Sequence, residues 1–504
     1  MVVMSLGLVA LGMAAAGRYD SQLNALADGS IPGMLRAAEA RLIGLTAATM
    51  IGLAGLELAY LIGHAEFAGV LGRGAALLVV LVIAPQFGIR EWVLLGLAIA
   101  LTAGLAGSDE GLRAARYALD QGAFFAAFIL LMTLLREAAV TSSAVLNLGH
   151  FLTSQQPGRR FVATYVGGHL SGVLLNFGAI SLLAPLIQRG VRAEPVVTPE
   201  DARRAAIREQ RQMAALIRGF AVVITWAPTT LTQAIILHSL PGLNTGRVML
   251  LGLAVSCAFL LVGWAEDRLR WGRPRRRAPG LPVVRFPAIA ARDLGLVGLI
   301  LIAGTYAARA LFDTTTAQAL MLMAPVMLMG WVFTQNAGRG AGQGVLAVRR
   351  RLGEIVAGPL PRMTRDAYLL GVAGFIGAAA ARLAPVDAIA AQLALESIPA
   401  WLFLSALPVI IMLSGNIAMS PIMVVVFLAA VISALPVLPA EPDLIAVSLG
   451  AGWALSMTAS PNATGPILLA GITGLPTTTL TWRWNGVYSL AALVVLWAGF
   501  YGLA

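Results

Sequence analysis

The sequence predicts an all-α polytopic membrane protein made of two inverted-topology repeats. Each repeat holds a re-entrant helical hairpin and a broken transmembrane helix. Three observations lead there. First, of 504 residues, 59% are hydrophobic and only 12% are charged, about half the charge of a soluble chain, and the mean hydropathy is +0.83. Second, two matched runs interrupt apolar segments at a proline ringed by small polar residues: Ile224-Thr225-Trp226-Ala227-Pro228-Thr229-Thr230 and Met457-Thr458-Ala459-Ser460-Pro461-Asn462-Ala463. Each is followed by an apolar half-helix and a turn, Leu240-Pro241-Gly242 or Gly474-Leu475-Pro476. A proline inside a span frees a backbone carbonyl that lipid cannot satisfy, so such breaks face protein or a watery cavity. Third, arginines crowd into alternate loops.

Apolar segments fall at residues 1–16, 42–63, 75–87, 92–106, 118–135, 161–187, 220–240, 248–264, 294–311, 317–333, 368–381, 400–435, 444–473 and 487–502. Residues 1–16 lack the basic start of a secretory leader and read as a first membrane helix. Residues 161–187 and 400–435 are too long for one straight span and carry glycine and polar positions inside, which suits a hairpin turning back at mid-membrane. Residues 138–151 are too short and polar to span and read as lying along the membrane. Residues 199–211 read as a short charged surface helix with Pro199 and Glu200 in its first turn.

Loop charge sets orientation. Arginines concentrate at residues 189–218, 268–292 and 339–365, and the positive-inside rule assigns all three to the cytoplasm. They account for the formal charge of +11 without nucleic acid. Segment 161–187 is flanked by Arg159, Arg160 and Arg189, so it enters from inside. Segment 400–435 is flanked by Glu396, Glu441 and Asp443, so it enters from outside, and the two hairpins have opposite sense. The expected organisation is an N-terminal scaffold (1–158), a first core (159–267), a basic linker (268–292), a second scaffold (293–398) and a second core (399–504). Arginine and alanine richness suggests a bacterial inner membrane. The one cysteine, Cys257, excludes an intrachain disulfide and a cysteine-built zinc site; it reads as a small core residue.

The candidate binding residues lie at the four breaks. The first hairpin offers Ser171, Asn176 and Gly178, and the first broken helix Thr225, Pro228, Thr229 and Thr230. The second hairpin offers Ser414, Gly415, Asn416 and Ser420, and the second broken helix Thr458, Ser460, Pro461, Asn462 and Thr464. Interrupted helices aim N–H groups and half-helix dipoles at a common point, which binds an anionic group. Freed carbonyls and side-chain oxygens coordinate a cation. Asn176 and Asn416 are the candidate Na+ ligands. His169 and His238, inside apolar segments, are candidates for proton coupling, against a reading as satisfied structural histidines. Arg136 and Glu137 read as snorkelling at a cytoplasmic end, and Arg309 and Asp313 as an (i, i+4) pair.

These residues carry a resemblance. The order of hairpin, proline-broken helix and one more span, repeated with opposite topology, resembles the ion transporter superfamily, which includes divalent-anion/sodium symporters and citrate and arsenite permeases. Ser414-Gly415-Asn416-Ile417-Ala418 and Ala459-Ser460-Pro461-Asn462-Ala463 look like the Ser-Asn-Thr tip and Thr-Pro-Pro-Asn-Ala break of the divalent-anion symporters, and Leu175-Asn176-Phe177-Gly178-Ala179 looks like the first tip. The chain departs at the tips, with Leu-Asn-Phe and Ser-Gly-Asn where the family has Ser-Asn-Thr. The resemblance implies a homodimer built on scaffold helices, with elevator-like movement of the hairpin domain.

The expected function is secondary active transport of a small, anionic solute coupled to Na+ or H+, with membrane lipids as the other partner, no other cofactor and no enzymatic activity. A membrane-embedded transferase would need a carboxylate pair or basic cluster, whereas the mid-membrane polar positions are mostly amides and hydroxyls. A non-transporting membrane subunit is the remaining alternative. The chain carries no Walker A run for ATP-driven pumping.

Overall fold

The computed structural model describes residues 33–503 except 64–65, 108–109, 154, 156–157, 193–196, 273–284, 339, 386–397, 418 and 420, with side chains described from residue 44. The expected helix at 1–16, most of the basic linker, Glu396 and Ser420 lie outside the described residues. The described residues form helices and turns and contain no strand. In chain order the helices are α1 (Gly33–Gly63), α2 (Glu66–Ile83), α3 (Ile89–Ala106), α4 (Gly111–Val140), α5 (Ser143–Thr153), α6 (Arg160–Leu175), α7 (Gly178–Arg192), α8 (Pro199–Ala221), α9 (Leu231–Ser239) and α10 (Thr245–Trp271). They continue with α11 (Ala288–Phe312), α12 (Thr316–Ala337), α13 (Ala341–Ala357), α14 (Thr364–Leu383), α15 (Ala400–Asn416), α16 (Pro421–Ser433), α17 (Pro442–Ala459), α18 (Thr464–Thr473) and α19 (Trp484–Leu503). Among the described residues, ten helical segments are long and apolar enough to cross a membrane. The protein is a multi-pass, all-helical membrane protein.

The chain divides into two compact units, one of Met1–Leu134 with Ala324–Ala384, the other of Leu135–Met323 with Pro385–Ala504. In the first, α14 packs on α2 and α3 and meets the first part of α4 at a pair of glycines. Gly122 and Gly371 let α4 and α14 approach closely, since a Cβ on either would lie within 3.0 Å of the other's carbonyl oxygen. Glu91 caps Gly88 N at 2.9 Å and receives Arg365 Nε at 2.9 Å, and Tyr368 Oη donates to Glu91 O at 2.9 Å. A buried carboxylate is tolerated only when paired in this way.

The second unit holds both hairpins and both broken helices. α6 and α7 form the first hairpin, turning at Asn176–Phe177, and α15 and α16 form the second. The first broken helix is α8, a 3₁₀ turn (Val222–Thr225), an extended break and α9; the second is α17, a break and α18. Four expectations change here. The charged stretch 199–211 is not a separate surface helix but the first half of α8, capped by Thr198 and continuing to Ala221. The Thr198 amide and hydroxyl both donate to Asp201 and hold its carboxyl below the ordinary value. The loop 339–365 contains a full helix, α13. Cys257 is exposed on α10 rather than buried. Arg309 and Asp313 form no ion pair, because Asp313 leaves the helical conformation with φ 48°.

The contacts of the two halves correspond. α6 packs on α8 as α15 packs on α17; α7 packs on α18, and in exchange α9 packs on α16. One register offset relates Gly219, Thr225, Pro228 and Ser256 to Gly452, Thr458, Pro461 and Ser489. Thr225 and Ser256 hydroxyls lie 3.1 Å apart, those of Thr458 and Ser489 2.8 Å apart, and each pair is 31 residues apart in sequence. The start of α17 meets the end of the first broken helix, where Asn244 N donates to Asp443 Oδ1 at 2.8 Å and Arg247 pairs with Glu441 at 2.6 Å. The two broken helices therefore run antiparallel.

Candidate functional site

Each break is held by the tip of its own hairpin. In the first half, Thr229 Oγ1 donates to Val173 O in the last turn of α6 at 2.8 Å. Asn176 ends α6 with φ 50° and ψ −132° and a hydrogen bond from its N–H to Gly172 O at 2.9 Å, a positive-φ conformation outside the left-handed helical region and one that glycine ordinarily adopts. In the second half, Gly415 O accepts from Ser460 Oγ and, at 3.2 Å, from Asn462 Nδ2; the same amide reaches Asn416 O at 3.4 Å. Thr229 and Asn462 occupy corresponding positions one residue after each proline. A buried hydroxyl does in one half what an exposed amide does in the other.

The two halves also meet. A Cβ on Gly465, in the first turn of α18, would lie 3.6 Å from Ile217 Cδ1 of α8 and 3.7 Å from Ile180 Cδ1 beside the first tip. A Cβ on Gly450 would lie 3.2 Å from Gln233 Nε2 and 3.6 Å from Ile224 O. The second break thus lies against the first hairpin, and α17 lies against the first break.

The predicted residues divide into two groups. Several have their polar atoms bound within the fold. Thr225 Oγ1 donates to Val222 O or Gly252 O, and Thr458 Oγ1 to Leu455 O, and both threonines are buried. Thr230 caps α9 and Ser414 Oγ donates to Ile411 O. The Asn416 amide donates to Met412 O at 2.8 Å and accepts from Trp482 Nε1 at 3.0 Å, so a cation on its oxygen would share that oxygen with the indole. Others lie open at the breaks: Asn462 and Thr464 are exposed, and Ser171, Asn176 and Pro228 are half-buried, whereas Pro461 and Gly178 are buried.

His169 is tied at both nitrogens. Trp226 Nε1 donates to His169 Nε2 at 3.1 Å, which leaves the proton on Nδ1, 3.3 Å from Gly219 O. The ring also stacks on Trp226 with centroids 5.7 Å apart. His238 lies on α9, half-buried. Among the described residues, no three His, Cys, Asp or Glu side chains are grouped to hold a metal ion.

Gln233, which the sequence reading passed over, and two arginines that it read differently matter here. Gln233 is fully buried and its amide donates to Ile224 O at 3.0 Å and Thr225 O at 2.8 Å, the carbonyls that the first break strips of helical partners. A glutamine in the apolar run five residues after Pro228 was the available clue. Arg136 lies beside the first hairpin tip: a Cβ on Gly178 would meet Arg136 Nε at 3.0 Å, and that nitrogen is buried with no hydrogen-bond partner. Arg218, counted among the loop arginines, is 2% exposed. It donates to Asn485 Oδ1 at 2.7 Å, Glu266 Oε2 at 2.9 Å and Trp484 O at 3.1 Å.

No protein-family model and no curated protein matches the chain. Its fold is similar to the crystal structure of the Alcanivorax borkumensis YdaH transporter, described as having an unusual topology. The TM-score is 0.52 at 17% identity, over 81% of this chain and 98% of that one. At that identity the likeness is one of fold: this chain has the polytopic helical architecture of a protein described as a membrane transporter.

Proposed function

We propose that the chain is a secondary active transporter that moves a small, anionic solute across a bacterial inner membrane by alternating access, coupled to Na+ or H+. The observation that carries this reading is the exchanged packing of two hairpins and two antiparallel broken helices, which fits an inverted repeat and converges four helix interruptions on one region. Chains do not keep matched breaks in apolar helices without a use for the freed backbone groups. The N-terminal ends of α9 and α18 supply partial positive charge, and Arg136 at the first tip adds a full one, which favours an anion. The side-chain amide oxygens of Asn176 and Asn462 would suit a coupling cation.

Purified protein screened by thermal shift against carboxylates, sulfonates, oxyanions, Na+ and a pH series tests the reading, since a ligand of the folded state raises the melting temperature. With a stabilising solute identified, Asn462→Ala is expected to lower uptake by about fivefold to about 100-fold, the cost of a lost amide contact of ~1–3 kcal/mol, with unchanged abundance and melting. Loss of folded protein in parallel with uptake would mean that Asn462 only packs the tip. Orientation has its own test. In a Cys257→Ser background, an impermeant maleimide is expected to label Val437→Cys from outside and Arg203→Cys from inside; labelling of both from one side defeats the inverted arrangement.

A further inference from the structure

We infer that Arg136 binds the charged group of the solute, and that the solute is an organic acid with a single carboxylate or sulfonate head. The inference rests on the transporter reading above and narrows its solute. Arg136 lies near the C-terminal end of α4, a helix apolar enough to cross the membrane. Gly178, the first residue of α7, leaves room for its stem, since a Cβ there would lie 3.0 Å from Arg136 Nε and 3.4 Å from its Cδ. That Nε is buried without a hydrogen-bond partner, and among the described residues no carboxylate pairs with Arg136. Glu137, the next residue, is buried but projects from α4 about 100° further around the helix. Charged groups inside spanning helices are costly and almost always paired. An arginine left without a protein partner beside a helix interruption is therefore placed for an anion that comes from elsewhere.

The second half closes on the same place. A Cβ on Gly465, in the first turn of α18, would lie 3.7 Å from Ile180 Cδ1, in the first turn of α7. The N-terminal turns of these two helices thus lie close together, and each adds partial positive charge. The geometry of the cation narrows the ligand. A guanidinium fork offers two parallel N–H groups, which match two oxygens of a carboxylate or sulfonate and not a halide. One cation balances one negative charge, which favours a single-headed anion over a divalent oxyanion. The surroundings are apolar: Leu175 Cβ lies 3.4 Å from the same built atom on Gly178, and Phe177 at the tip packs on Phe220 with ring centroids 5.1 Å apart. Such a wall suits an organic stem and cannot replace the hydration shell of an inorganic ion.

The test titrates the full-length purified protein with butyrate, benzoate and benzenesulfonate, with benzamide as the neutral counterpart of benzoate and chloride at matched ionic strength, read by thermal shift. At least one of the acids is expected to raise the melting temperature, and benzamide and chloride are not. For that acid, Arg136→Gln is expected to weaken binding about tenfold or more, the cost of a lost charge-assisted contact, with Arg136→Lys in between. Gly178→Ala is expected to weaken it severalfold in the wild type and to add nothing in the Arg136→Gln background, because its Cβ acts by displacing the guanidinium. Arg189→Gln, exposed at the other end of α7, is expected to leave binding unchanged. Without ligand, Arg136→Gln is expected to melt no lower than wild type, since it removes a charge that the fold leaves unpaired. A fall of several degrees in that variant, with acid binding unchanged in Gly178→Ala, would make Arg136 a structural residue and overturn the inference. So would no stabilisation by any of the acids, or equal stabilisation by benzoate and benzamide. Uptake into proteoliposomes is measured separately. An acid bound through Arg136 but not carried would keep the site and remove the transporter reading; carriage of a neutral solute with no acid bound would do the reverse.

Discussion

Arg218→Met is expected to lower the melting temperature of the purified protein more than any substitution at the breaks. Arg218 sits 2% exposed between three helices, donating to Glu266 on α10 and to Asn485 and Trp484 O at the start of α19. Its guanidinium also lies 4.3 Å from the centre of the Tyr488 ring. Methionine fills similar space but leaves the Glu266 carboxylate, itself 11% exposed, with only the distant 3.5 Å contact from Arg270. Removing one partner of a buried pair costs about 3–5 kcal/mol, whereas replacing both is often close to neutral. The double variant Arg218→Met/Glu266→Gln is therefore expected to recover more than half of the loss, and a thermal-melting cycle over the four proteins measures the coupling. If the single variant melts within a degree of wild type, the network does not hold α8, α10 and α19 together.

Gly219→Ala and Gly452→Ala are expected to be the next most damaging changes, and for one shared reason. A Cβ on Gly219 would lie 2.0 Å from Tyr165 O and 2.7 Å from its carbonyl carbon, and a Cβ on Gly452 would lie 2.7 Å from Pro408 Cα. Both obstacles are backbone atoms, so no side chain can rotate away; α6 must leave α8, or α15 must leave α17. Close backbone approach at small residues is the main way helices pack in a membrane, and overpacking a tight contact costs about 1–3 kcal/mol or more. A fall of a few degrees in melting temperature, at most about 2–4 °C for each kcal/mol lost, is expected for each. Gly190→Ala serves as the control, because a Cβ there meets nothing within 4 Å. Equal melting of all three variants would show that the interface has slack that the glycines do not reveal.

The sequence was most legible where chemistry is local. Hydropathy located the helices, and proline with small polar neighbours located the breaks, because a missing N–H acts on its own helix whatever surrounds it. Spacing also revealed the hairpins, since an apolar run too long for one span must turn back. It was least legible for charges. Arg211 and Arg218 look alike in a basic run, yet one is at the edge of a cavity and the other is sealed between helices; exposure depends on which faces meet. The neighbour of Arg136 was hidden for the same reason, as Gly178 arrives from a different helix.

The sequence by itself determined that this is a helical membrane protein with two matched, proline-broken segments and opposite loop charge around its hairpins. Those properties come from backbone hydrogen bonding in lipid and from charge asymmetry, both readable residue by residue. Only the tertiary structure decided which polar groups remain open at the breaks. Thr225, Thr458 and Asn416 are bound by neighbours from elsewhere in the chain, while Asn462 stays exposed and Gln233 closes the carbonyls at the first break. Hydrogen-bond capacity is a property of the residue, but its use is settled by whichever group packing brings within about 3 Å.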